Sequence, residues 1–303
     1  MSIETAAITR RARRADRAVT VFLGILTGII MAALAALVGY ILVRGLPHLS
    51  WDFLTSEAEN FKAGGGIGPQ IFNSFYLLLI TLAISVPISL GAAVYLAEYA
   101  PKNRVTALIS TTIETLSSLP SIVVGLFGFL LFVITFKWSF SILSGAIALT
   151  MFNLPILVRV VQQALEAVPA HQRDAGLAMG LTRWETTIHV VLPEAMPGII
   201  TGIILSAGRV FGEAAALIYT AGMSAPPLDF TSLDVTSPSH PLNIMRPAET
   251  LAVHIWKINS EGVIPDRAAV SNGTGAVLLL CILTFNVLAR ISGRWLQRRI
   301  MAA

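Results

Sequence analysis

Charge is scarce in this chain: only 13% of its 303 residues are Asp, Glu, Lys or Arg, against 55% that are hydrophobic. A soluble globular domain carries nearer a quarter charged residues. So few charges cannot dress a water-facing surface of this size, and lipid must cover much of it. An ordinary soluble domain is excluded before any motif is read. Cysteine is almost absent as well. Cys281 stands alone in an apolar run, which excludes an intrachain disulfide and a cysteine-held metal cluster. The usual catalytic signatures are missing too. There is no GxxxxGK[ST] loop to cradle the phosphates of ATP, no HExxH and no GxSxG. His48, His171, His189, His240 and His254 are scattered at no metal-ligand spacing. No cofactor is expected and the chain is not expected to be an enzyme. A partner or an ion gradient must supply any energy it uses. The net charge of +4 reads as membrane topology rather than as nucleic-acid binding.

What is present is a set of six long apolar runs, near Val19–Val43, Ile71–Ala97, Thr115–Phe136, Phe140–Leu165, Ala195–Thr220 and Thr274–Leu296. Each approaches the 20 or so residues needed to cross a hydrocarbon core of roughly 30 Å. All are read as helices, because an open strand leaves its backbone unsatisfied in lipid. The expected fold is all-α: a polytopic membrane bundle of six transmembrane helices. Residues 1–18 form a basic tail, 19–43 the first span, and 71–296 the core. The first run follows Arg10, Arg11, Arg13, Arg14 and Arg17. It is too long for a signal peptide and shows no small-residue cleavage site, so it is read as a retained span.

Positive charge sets the orientation. One side holds the N-terminal arginines, Lys102 and Arg104, then Arg159, Arg173 and Arg183, and finally Arg290, Arg294, Arg298 and Arg299. The other side holds only Arg44, Lys62, Lys137, Arg246, Lys257 and Arg267. Both termini are therefore expected in the cytoplasm. Three connections are long: an outer loop near 44–70, an inner loop at 166–194, and an outer loop at 221–273 rich in proline and serine. Within the last, Ala248–Ile258 mixes apolar and polar residues and is expected to form a short interfacial helix, with Trp256 at headgroup depth.

The inner loop carries the most specific pattern. Asp174–Pro193 reads DAGLAMGLTRWETTIHVVLP. It resembles the EAA motif of ABC-importer permeases at Asp174, Ala175, Gly176, Gly180, Leu192 and Pro193. Asp174 stands where glutamate is usual, and Gly176 where a second alanine is usual, at about 1 kcal/mol of helix propensity. Small residues at Ala175, Gly176, Ala178 and Gly180 permit close approach of another protein's surface. The resemblance extends through GIGPQIFNSFYLLLITLAISVPISLGAAVYLAEYAP, LPSIVVGLFGFLLF, GRVFGEAAALIYTAG and PAETLAVHIWKINSEG. These segments are similar to phosphate permeases of the PstA type. That resemblance implies the type I ABC importer permease fold and inorganic phosphate as cargo. It also implies a coupling helix in the inner loop that docks an ATPase. The partners it implies are a second permease of the PstC type, a dimer of PstB-type ATP-binding subunits, and an extracytoplasmic PstS-type phosphate-binding protein. The location it implies is a bacterial cell membrane.

Charges inside the spans are the candidate pathway residues. Arg209 and Glu213 stand four residues apart in the fifth run and so share a helix face. Charges at membrane depth face the bundle interior or a wet cavity, and a guanidinium suits a doubly charged oxyanion. Glu213 is expected to hold Arg209 between transport events, or the two form a structural pair. Arg159, at the inner end of the fourth run, is either an exit contact for the anion or a positive-inside anchor. Gly198, Gly202, Gly208 and Gly212 give two GxxxG spacings that favour helix packing. Pro87, Pro120 and Pro155 are expected to bend spans two, three and four. Two other readings stay open: a permease for another oxyanion such as sulfate, molybdate or phosphonate, and an ion-coupled secondary transporter. The latter predicts inverted repeats and paired mid-depth carboxylates, and neither is visible.

Overall fold

The structure, a computed structural model, describes residues 3–59, 62–232, 234–261 and 264–301. The described residues form helices and loops, with no strand. Met1, Ser2, Ala302 and Ala303 lie outside them, as do the side chains of Arg10, Arg11, Arg14, Arg298 and Arg299.

Helix α1 (Ile3–Gly45) contains the first apolar run, which stands almost fully exposed. Its C-terminal end meets the last helix. A Cβ on Gly45 would lie 2.3 Å from the Asn272 carbonyl oxygen, so only glycine allows this contact. A short helix, α2 (Trp51–Thr55), is capped by Ser50, whose Oγ accepts from the Phe53 amide at 3.1 Å. Helix α3 (Gly68–Val94) starts with Pro69 in its first turn, where the missing N–H costs nothing. It continues through a π-helical turn, Tyr95–Tyr99.

The third apolar run departs from expectation. It is not a straight span over Thr115–Phe136. Helix α4 (Arg104–Ser117) ends, the chain turns by 95°, and α5 (Ser121–Gly128) continues as a π-helical stretch to Thr135. Pro120 explains the break. It lacks a donor and disfavours helical backbone at the residue before it, Leu119. The proline expected to bend the span ends the helix instead.

Helix α6 (Ile142–Glu166) is the centre of the bundle, with 67% of its most apolar stretch buried. It packs along α3 and along α9 (Leu192–Phe211). Two core clusters form at its two ends: Leu149 with Leu77, Val210 and Leu217, and Leu157, Val158 and Val161 with Ala93, Val191 and Ile199. The fit between α6 and α9 depends on the first GxxxG pair. A Cβ on Gly198 would lie 2.6 Å from Ala164 Cβ, and one on Gly202 would lie 2.7 Å from Val160 Cγ1. The second pair differs, because a Cβ on Gly208 meets nothing within 4 Å. Gly202→Val is therefore expected to destabilise by about 1–3 kcal/mol through overpacking, read as a lower apparent Tm in detergent. Gly208→Ala should leave the Tm unchanged.

Between α6 and α9 lie α7 (Ala170–Ala178), α8 (Arg183–Thr186) and a π-helical turn, Thr187–Val191. The fifth apolar run is also broken. Helix α9 stops at Phe211, Gly212–Ala214 are not helical, and α10 (Ala215–Thr220) resumes against α5. The expected continuous span Ala195–Thr220 does not exist. Helix α11 (Leu251–Glu261) corresponds to the expected interfacial helix but is not a surface element. Leu251, Val253, His254 and Ile258 are buried, while Trp256 is 47% exposed. Helix α12 (Arg267–Met301) closes the bundle against α1, α9 and α11. Among the described residues, five helices are long and apolar enough to cross a membrane, and six when the bent α4–α5 pair is one span.

Candidate functional site

The inner loop folds as a helix–turn–helix. Helix α7 ends on Gly180, whose φ of +84° is left-handed and natural only for glycine. The Leu181 amide donates to the Gly176 carbonyl at 3.2 Å, and the Gly180 amide to the Leu177 carbonyl at 3.0 Å. This is a Schellman stop. Helix α8 starts with a capping box, in which Thr182 and Glu185 satisfy each other's backbone amides. Gly176 is buried, and a Cβ there would lie 2.8 Å from Thr186 Cγ2. Its smallness lets the two arms of the loop close on each other, a role different from the expected one of admitting a partner. Leu192 and Pro193 are half-buried, with Leu192 packed on the inner core cluster. The outward face instead carries Asp174, Ala175 and Gly180 together with Leu177, Trp184 and Met179, the last 84% exposed. An apolar tip on a polar loop is a surface built for burial.

Arg173 fixes this loop to the bundle. Its Nε and Nη2 donate to the Glu98 carboxylate at 3.1 and 2.8 Å. Nη2 also donates to the Leu165 carbonyl at 2.7 Å, and Nη1 to the Val168 carbonyl. Glu98 lies in the π-helical turn that ends α3, and Leu165 and Val168 close α6. Nearby, Arg159 pairs with Glu114 of α4 at 2.7 Å. The candidate exit cation is thus already held by a carboxylate.

Arg209 stands in the last turn of α9, where a cation suits the negative end of the helix. Its guanidinium carbon lies 3.9 Å from the centre of the Phe152 ring. Phe152 is near the middle of α6, so Arg209 sits near mid-depth of the bundle. One turn earlier on α9, Ser206 accepts from the Asn153 side chain, next to Phe152. Glu213 does not hold Arg209. The helix ends between them, the two form no ion pair within 4 Å, and Glu213 Oε1 accepts from the Ala216 amide at 3.2 Å. A helix break at membrane depth is tolerated where it is buried in protein or lines a wet cavity. Gly212, in the break, is exposed and Arg209 half-buried. The result is a mid-depth cation, resting on an aromatic face, beside unwound backbone.

Sequence reasoning missed the densest polar cluster, which ties the last outer loop to the start of α3. Arg246 is 1% exposed and Glu249 1% exposed. Arg246 Nη2 donates to Asn73 Oδ1 at 2.7 Å and its Nε to the Pro241 carbonyl at 3.3 Å. Burial pushes this guanidinium down to about 10, against an opposing pull from Tyr76, so it stays charged at neutral pH. Asn73 Nδ2 donates to the Glu249 carbonyl at 3.0 Å. The Glu249 carboxylate meets Gln70 Nε2 at 3.3 Å, His254 Nδ1 at 3.0 Å and Lys257 Nζ at 3.7 Å. Ser74 Oγ receives the Leu251 amide at 2.9 Å. The available signal was Gln70, Asn73 and Ser74 at spacings of three and four, at the head of an apolar run.

Comparison with known proteins follows the same lines. The family described as binding-protein-dependent transport system inner membrane component matches residues 85–302. A "probable ABC transporter permease protein" of Bacillus subtilis is 50% identical over 287 residues, 95% of this chain and 98% of that protein. A "phosphate transport system permease protein PstA 2" of Mycobacterium bovis is 31% identical over 274 residues, 89% of this chain and 84% of that one. The PstA of Xylella fastidiosa is 35% identical over 204 residues, covering 64% and 71%. Among solved structures, a bacterial alginate ABC transporter in complex with a periplasmic protein aligns with a TM-score of 0.65. It covers 93% of this chain and 96% of that one at 13% identity. The methionine transporter MetNI aligns at 0.53, covering 78% and 94% at 18% identity. Those two likenesses concern the fold.

Proposed function

This chain belongs to the binding-protein-dependent transport system inner membrane component family, and from that membership we propose that it forms half of the path by which an ATP-driven importer admits inorganic phosphate. It is a multi-pass permease subunit of an ABC importer of the type I fold. The phosphate assignment is supported by the PstA permeases it resembles along most of its length. The observation that carries it is Arg209. The guanidinium lies near mid-depth beside a helix break, with no carboxylate clamped on it. Its donors are free to meet a passing oxyanion through charge-assisted hydrogen bonds.

The proposed assembly is a heterodimer with a second PstC-type permease, two PstB-type ATPase subunits, and a PstS-type binding protein outside. Both termini lie in the cytoplasm of a bacterial cell, and residues 71–296 form the permease core. The inner loop docks the ATPase through Asp174, Ala175, Gly180 and the apolar tip at Leu177, Met179 and Trp184. Gly176 keeps the loop compact, and Leu192 and Pro193 join it to α9. ATP binding in the partner moves the loop, and the helices attached to it reorient the pathway. ATP hydrolysis belongs to that partner.

The test is ATPase activity and uptake by the full complex in liposomes, with the binding protein and with phosphate, sulfate, molybdate or phosphonate. Stimulation and uptake specific to phosphate are expected. Stimulation by sulfate or molybdate alone would reassign the cargo. Uptake that follows an ion gradient without ATP would place the protein among secondary transporters.

A further inference from the structure

Helix α3 is bonded at both ends and not along its length. At the inner end, Glu98 receives the Arg173 fork, whose remaining donors cap the carbonyls of Leu165 and Val168. One guanidinium therefore fastens α7 to the ends of both α3 and α6. The Arg173 and Glu98 side chains are only 23% and 12% exposed, so water screens the pair weakly, and the two-point fork fixes its geometry. At the outer end, Gln70, Asn73 and Ser74 hold Glu249, Arg246 and Leu251 of the outer loop. Between them, Thr81, Ser85 and Ser89 are fully buried with hydroxyls that have no hydrogen-bond partner. From Gly68 to Tyr99 the element spans 32 residues, about 48 Å at the helical rise.

We infer that Arg173 is a positioning residue for transport: through Glu98 it makes α3 a strut that carries displacement of the inner loop to the outer loop. This rests on the inner loop being the ATPase docking site. Without the Arg173–Glu98 bond, loop motion reaches the bundle through α6 and α9, the two helices joined to the loop along the chain, and reaches α3 only by packing. With it, the same motion also moves α3 and the outer segment bonded to its far end. The arrangement has two bonded attachment points, with one helical element between them.

The experiment compares wild type, Glu98→Gln and the double variant Glu98→Gln/Arg173→Gln in the complete complex in liposomes. Retained ATPase subunits, apparent Tm and cargo taken up per ATP hydrolysed are measured on each. In a Cys281→Ser background, an introduced Leu242→Cys on the outer loop reports nucleotide-driven changes in labelling. Glu98→Gln is expected to keep its ATPase subunits and lower uptake per ATP about tenfold. It should also abolish the nucleotide response at the outer label. The double variant no longer leaves Arg173 without its carboxylate, so it should regain most of the Tm that Glu98→Gln loses, short of wild type by the caps on the Leu165 and Val168 carbonyls, while uptake per ATP stays low. That separation marks a coupling role. Uptake per ATP within twofold of wild type in Glu98→Gln overturns the inference. So does a double variant that regains Tm and coupling together, and so does loss of the ATPase in both variants. If wild type ignores phosphate but responds to another anion, the cargo reading fails and the comparison proceeds with that anion. If wild type binds no ATPase, the docking reading fails and takes the inference with it.

Discussion

Replacing Arg209 with alanine is expected to lower phosphate uptake about 100-fold in a complex that still assembles and still hydrolyses ATP. Charged hydrogen bonds to a dianion contribute roughly 1.5–3 kcal/mol each, and a factor of ten corresponds to about 1.4 kcal/mol. Losing two of them reaches that range. Among the described residues Arg209 has no carboxylate partner within 4 Å, so its removal strands no buried anion there. Its contact with the Phe152 ring is worth about 1–2 kcal/mol when desolvated, so a modest fall in Tm accompanies the change. Arg209→Lys should fall between the two, because it keeps the charge and loses the fork. Glu213→Gln keeps an acceptor for the Ala216 amide and should leave uptake nearly intact. Should Arg209→Ala transport at the wild-type rate, the arginine is structural and the path lies elsewhere. Should Glu213→Gln fall as far as Arg209→Ala, the two act as a pair despite the break in the helix.

Glu249→Ala should produce the largest loss of stability, about 3–5 kcal/mol, because it leaves buried partners without their anion. Gln70, His254 and Lys257 all converge on that carboxylate, and Gln70 and His254 are nearly inaccessible to water. At about 2–4 °C per kcal/mol for a chain of this size, the apparent Tm of the complex drops by roughly 10 °C. Glu249→Gln retains an acceptor for Gln70 and His254 and should lose about half as much. A Tm shift below that of Gly202→Val would mean that the outer loop is held by its backbone contacts instead. These include the Ala248 amide on the Ala221 carbonyl and the Glu249 amide on the Ser224 carbonyl, both at 3.1 Å.

Much of the architecture was legible because lipid imposes a strong pattern. The apolar runs marked where helices had to lie, whereas Gly180, read as a small residue for close approach, ends α7 in the left-handed conformation that favours glycine. Prolines were harder to read. Pro87 and Pro155 stay within helices α3 and α6, whereas Pro120 ends one and turns the chain through 95°. The difference lies in the neighbours. Before Pro120 the sequence is Ser117-Ser118-Leu119, and short hydroxyl side chains bond back to the preceding turn, here Ser117 Oγ to the Glu114 carbonyl and Ser118 Oγ to the Thr115 carbonyl at 2.7 Å each. The Arg209–Glu213 spacing misled for a related reason. A four-residue interval implies a shared face only while the helix lasts, and α9 stops at Phe211.

By itself the sequence determined the all-helical membrane class and where the apolar runs lie. These follow from local composition and from the cost of bare backbone in lipid, which any window of the chain reveals. Only the tertiary structure decided which charges meet. Glu98 and Arg173 are 75 residues apart, and Gln70 and Glu249 are 179 apart. No local pattern encodes such pairs, because they depend on how α3, α6 and α11 are brought side by side. The same packing withdrew Arg159 to Glu114, turned Glu213 to α10, buried Gly176 inside the loop, and left Arg209 as the cation at the break.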